Sequence, residues 1–141
     1  KVLITDSSGN LANTSAFVLD GDSVEVAGQF SLGLSVQSTG GPNLNINCEN
    51  GNVFELDLQG AAIPTSFNFT NAKLGGTYMV KIINNDLGTG NLNFDSSILF
   101  PGGTDMTLTS TANAIDVLTV TCTNATGGSE EYLANFSNDY Q

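Results

Sequence analysis

Apolar and polar residues alternate along most of this chain. In "NLNINC" the apolar positions are Leu44, Ile46 and Cys48, and in "VLTVTC" they are Leu118, Val120 and Cys122. A period of two sends successive side chains to opposite faces of an extended strand, so each set belongs to a core face. The same rhythm runs through "SVEVAG", "QFSLGLSV", "NVFELDLQ", "SFNFT", "TYMVKII", "NLNF", "MTLTS", "IDVLTVTC" and "YLANFS". Each is predicted to be a short strand. Phe30, Phe54, Phe67, Phe69, Phe94 and Phe100 alternate with polar residues and are expected in the core. No apolar pattern recurs at i, i+3 and i+4 over two turns, which predicts little or no helix.

Between the strands lie "DSSGN", "DGD", "TGGP", "CENGN", "NNDLGTG", "PGG" and "NATGGS". Asn-Gly and Gly-Gly tolerate positive φ, while Pro42 and Pro101 fix φ at corners. Gly88 and Gly90 are predicted to make a hairpin, and Pro101, Gly102 and Gly103 a corner, with Thr107 to Thr111 on an edge or wet face beyond it. Many short strands with such punctuation predict an all-β fold, an antiparallel, jelly-roll-like β-sandwich. One domain is expected over residues 1–141. Residues 1–28 have shorter apolar runs and read either as an N-terminal arm or as the first strands of the same sandwich. "KVLITDSSG" reads as a natural start lacking only its Met, or as a domain boundary. No internal repeat at solenoid period is evident.

Composition narrows the partners. Of 141 residues, 12% are charged, with 14 acids against three lysines (Lys1, Lys73, Lys81), for a net charge of −11. The surface must therefore be built largely from Asn, Ser, Thr and Gly. Nucleic acid is excluded as a partner, because neutralising phosphates needs clustered Lys or Arg. No apolar run approaches the length of a bilayer, so no membrane insertion is expected. The charge keeps copies of the chain apart in solution, which suits a protein made in quantity.

Candidate chemistry is sparse. The chain has no His and no Arg, so neither a Ser-His-Asp nor a Cys-His site can form within it. Asp57, Asp86, Asp95 and Asp105 are available as a carboxylate pair for a glycan depolymerase, yet their spacing selects no pair. Glu55 and Asp57 alternate with Phe54, Leu56 and Leu58 and read as a solvated sheet face. Calcium could take oxygens from "DGD" at 20–22 or "NND" at 84–86, but Asx turns explain the same residues and no twelve-residue loop accompanies them. Cys48 and Cys122 read as buried thiols, with an inter-sheet disulfide as the alternative, and neither has a second ligand at metal spacing. No cofactor and no catalytic residue is expected. Tyr132 and Tyr140 are candidate contacts for a partner or glycan, with core-edge packing the plainer reading of Tyr132.

From about residue 50 to 136 the order of motifs is more informative. "NGNVFELDLQG" precedes a Gly-Thr-Tyr strand at 76–78, and a Gly-Thr-Gly turn at 88–90 follows. Next come a Pro-Gly-Gly-Thr corner at 101–104, a threonine-rich stretch, and Thr-Ala-Asn at 111–113 leading into "AIDVLTVTC". The succession resembles a module of tailed-bacteriophage tail-fibre and other virion structural proteins. It departs at the end, where that module closes on an Asn-Trp-Tyr and this chain has "NATGGSEEYLANF" without Trp. The resemblance implies a non-enzymatic structural protein on the virion surface, made in the bacterial host cytoplasm. It further implies a homotrimer partnered by capsid or tail proteins. The short chain suits a capsid decoration or head-fibre protein as well as a tail-fibre tip with a host receptor. A carbohydrate-binding adhesin module is the alternative.

Overall fold

The computed structural model describes residues 17–20, 23–26, 34–37, 43–58, 66–84 and 92–140. The chain divides into two compact units, Lys1–Ser31 and Leu32–Gln141. In the first, β1 (Phe17–Asp20) pairs antiparallel with β2 (Ser23–Val26), Phe17 opposite Val26 and Asp20 opposite Ser23.

In the second unit the chain alternates between two sheets. One holds β3 (Leu34–Gln37), β5 (Val53–Asp57) and β7 (Thr77–Ile83) as parallel neighbours; the other holds β4 (Asn43–Asn47) and β6 (Ser66–Thr70), also parallel. Phe94 extends the second sheet by a parallel bridge to Phe67. Because these consecutive strands lie in different sheets, they are not hairpin partners. Every second strand returns beside its predecessor in the same direction, the parallel outcome of any crossover connection.

The winding then closes with antiparallel pairing. β9 (Ile115–Asn124) lies against β7, with Val80 opposite Leu118, and β10 (Glu131–Tyr140) lies against β9, with Ala134 opposite Val120. The two-residue β8 (Ile98–Leu99) runs parallel to β10 at the far edge, giving the order β3-β5-β7-β9-β10-β8. The protein is all-β, and the longest helical pieces among the described residues are 3-10 turns at Cys48–Asn50 and Pro101–Gly103. The pairing is mixed, not purely antiparallel as expected. The segment 104–110, expected as a strand, is extended but unpaired in any sheet, although Met106 and Leu108 still alternate inward. "NLNF" contributes only the bridge at Phe94.

One core joins the two sheets. Leu44, Ile46, Phe67 and Phe69 from the smaller sheet pack in the same cluster as Phe54, Leu56, Val80, Ile82, Leu118 and Val120 from the larger. Rings run through it in near-continuous contact: Phe100 to Phe94 at 4.9 Å between centroids, Phe94 to Phe67 at 5.2 Å, Phe67 to Phe69 at 5.4 Å and Phe69 to Tyr132 at 5.3 Å. The first three contacts are edge-on, an arrangement worth about 0.5–1.5 kcal/mol per pair beyond burial alone. The expected core phenylalanines are therefore buried wherever they are described; Phe30 and Pro42 lie outside the described residues.

Candidate functional site

The corner at 101–103 is a 3-10 turn in which Gly103 N donates to Phe100 O at 3.0 Å. Gly102 and Gly103 stand at φ 71° and 70°, a region that side-chain-bearing residues enter at a cost, so both glycines are required by the turn itself. Gly88, Gly90 and Asp86 lie outside the described residues, as do two of the three residues of "DGD" at 20–22. Cys48 and Cys122 are buried free thiols. Burial pushes the Cys48 thiol up to about 12, with Cys122 nearby adding to the shift, and burial raises Cys122 as well. Tyr132, completely buried, pairs with Cys122 across β9 and β10 and donates its hydroxyl to Phe69 O at 3.5 Å. Tyr140 is exposed.

A polar groove of about 640 Å³ opens where the end of β6 meets two loops. Asn68, Thr70 and Asn71 come from β6 and its end, Asp95 and Ser97 from the turn before β8, and Ser129 and Glu130 from the turn before β10. They converge because β6 ends, β10 begins and the chain leaves the Phe94 bridge at this side of the core. Asp95 Oδ1 accepts from Ser97 N at 2.9 Å, and the Ser97 N–H and hydroxyl hold the Asp95 carboxyl below its ordinary range. Glu130 Oε2 accepts from Gly128 N at 3.0 Å. Asn68 Oδ1 is buried and has no hydrogen-bond donor of its own. Apart from that enclosed oxygen, the Asp95, Ser97, Ser129 and Glu130 side chains offer acceptors and hydroxyls to a neutral polyhydroxylated ligand and repel an anionic one. A second cavity of about 670 Å³ adjoins the Pro-Gly-Gly corner, bordered by Gly103, Asp105 and Met106.

The carboxylate that the structure uses most heavily is Asp116, which is fully buried in β9. Its Oδ2 accepts from Thr109 N at 2.7 Å and Asn84 Nδ2 at 3.1 Å; its Oδ1 accepts from Thr109 Oγ1 at 2.7 Å and Asp139 N at 3.0 Å. Burial alone would raise this carboxyl, but the four hydrogen bonds outweigh it and hold the group below its usual value. One side chain therefore ties together β9, the end of β7, the unpaired 104–110 segment and the end of β10. Asp116 is not among the expected site residues, although it is in phase with Leu118, Val120 and Cys122, an acid written at a core position.

Among the other candidate carboxylates, Glu55 accepts from Lys81 Nζ at 2.8 Å on the outer face of the larger sheet, with Asp57 on the same face. Asp95 and Asp105 border different cavities. No group of three or more Cys, Asp or Glu side chains suited to a metal ion occurs among the described residues, and no described helix is long and apolar enough to cross a membrane. No protein-family model matches the chain, and neither a curated protein nor a solved structure matches it.

Proposed function

We propose that this chain is a non-enzymatic structural protein on the outer surface of a tailed bacteriophage particle. In this reading it is a capsid decoration, head-fibre or tail-fibre component that associates with copies of itself, as a trimer, and docks on capsid or tail proteins. The observation that carries the proposal is the ordered run of motifs between residues 50 and 136 and its likeness to the phage module. The architecture supports it physically. A β unit with a shared aromatic core, and with its buried acid committed to four structural hydrogen bonds, suits a part that must be rigid more than one that must react. Cosedimentation of the purified full-length chain with isolated heads and isolated tails tests the reading. Retention on one of them is expected, and retention on neither would sink it.

The groove beside Asn68 favours a second reading, a carbohydrate-binding adhesin module for a host-surface glycan. Its acceptors are those that sugar hydroxyls would satisfy. Saturable binding of a neutral oligosaccharide, lost in Asp95→Asn and Glu130→Gln, would favour this reading over the first; unchanged binding in both variants would remove it.

A further inference from the structure

We propose that the outer face of the six-stranded sheet is an interface between copies of this chain, a surface that names where the self-association proposed above takes place and that rests on that reading.

The face is built from the positions that alternate with the core. Leu34, Val53, Met79, Thr119 and Asn135 stand side by side across five strands, and Val36, Glu55, Lys81, Val117 and Ser137 form the next row. Of the eight large hydrophobic side chains left exposed among the described residues, six are here: Leu34, Val36, Met79, Leu99, Leu133 and Tyr140. Val36 is 67% exposed and Leu133 53%. Parallel strands such as β3, β5 and β7 are rarely left with a bare face, because they normally occur with both faces covered. Exposed apolar side chains gathered on one face, here in two groups at its β3 and β10–β8 sides, point to an interaction site.

Charge selects the occupant. The chain carries −11, so two copies repel one another through most of their surface. This face holds a small share of that charge, three acids (Glu55, Asp57 and Glu131) against Lys81. The first row is uncharged, and the second holds an acid and a lysine already paired at 2.8 Å. Asp57 lies on the face, and Glu131 near its end receives a hydrogen bond from Thr123 Oγ1 at 2.7 Å. Glu55 and Lys81, paired at 2.8 Å, also present both signs side by side, so a neighbouring copy can seat on the face without meeting an uncompensated charge there. Six strands about 4.8 Å apart and roughly five residues long project on the order of 500 Å². Side-chain relief raises the accessible area towards the ~800 Å² per partner of a stable complex.

Sedimentation equilibrium of the full-length chain over a concentration series tests this. The wild type is expected to self-associate reversibly. Met79→Glu and Leu133→Glu, which place an unpaired charge in the contact, should weaken association by at least ~100-fold while circular dichroism and thermal melting stay unchanged. Leu74→Glu, exposed in the turn before β7, should associate like the wild type. Glu55→Lys and Lys81→Glu should each weaken association, and the double reversal should restore it. A wild type that stays monomeric at millimolar concentration overturns the proposal. So does association indifferent to Met79→Glu and Leu133→Glu, or protection of this face that appears only with assembled particles. None of these outcomes decides whether the chain resides on a particle, which cosedimentation with heads and tails answers separately.

Discussion

Asp116 shows how one residue can carry the cohesion of a region that has no ladder of its own. Thr109 and Asp139 turn their backbone N–H groups to its carboxylate, and Asp139 reaches it from a positive φ of 62° within an irregularity of β10. Asp116→Asn keeps the shape but sets an amide NH₂ against donors, so it should cost about 2–3 kcal/mol in urea unfolding. An effect below 0.5 kcal/mol, the usual range of an inconsequential surface change, would show that the hydrogen bonds contribute little. The folded carboxyl lies below its ordinary value, so its contribution is complete above about pH 4–5 and lost as pH falls through the folded value. The acid branch of the stability profile should therefore flatten in Asp116→Asn. The thiols act in the opposite direction. Cys48 is raised to about 12, so its contribution is complete below about pH 8.5, the ordinary thiol value, and is lost progressively as pH rises from there towards about 12. At neutral pH a thiol reagent should label neither Cys48 nor Cys122 in the native protein and both after denaturation; rapid native labelling would contradict their burial.

At the level of elements, alternation made the strands and their inward faces legible. Ile46, Phe54, Phe67, Val80 and Leu118 all fall on the buried side of the strands in which the pattern set them. What alternation does not encode is the partner. "MTLTS" has the rhythm of a strand, and Met106 and Leu108 turn inward, yet no ladder receives it. Its backbone is held instead by Asp116 and by Asn138 Nδ2, which donates to Thr107 O at 2.6 Å. Parallel pairing was hidden for a related reason. The steps from Leu34 to Val53 and from Val53 to Met79 are unequal, so the winding leaves no fixed period in the sequence. Of two turn glycines, Gly102 lies in a corner the sequence predicts, whereas Gly76, expected at the start of a strand, instead closes a turn with Lys73. At Gly76 a Cβ would lie 2.5 Å from the Tyr78 hydroxyl and 2.9 Å from Lys73 O, where that hydroxyl accepts from Lys73 N at 2.8 Å. Gly76→Ala should cost about 1–3 kcal/mol through overpacking against backbone. Gly102→Ala meets no atom within 4 Å, and its cost of about 1–2 kcal/mol should come from the positive φ alone. Chemical denaturation of the two variants separates them, because Gly76→Ala should also disturb the Tyr78 environment in near-ultraviolet circular dichroism. An unaltered tyrosine signal would show that the 73–78 turn gives way without strain.

For the whole molecule, the shortage of charge and the repeated turns pointed to an all-β protein with an amide- and hydroxyl-rich surface. Which charges share the outer face of the larger sheet emerges only when the strands are placed, since charge balance on a face depends on which strands are neighbours. Glu55 and Lys81 are 26 residues apart in the chain and adjacent in the sheet. The polar groove is likewise assembled from three separate turns, which no local pattern joins. The proposal of a phage-particle component draws on motif order, and an all-β unit with a shared aromatic core is compatible with it. Gold labelling of intact particles with an antibody to this chain, viewed by electron microscopy, tests it most directly. The account predicts regular label on the particle surface, over the heads for a decoration or head-fibre protein or on the tail for a fibre component. Particles that contain no label at either place would contradict it.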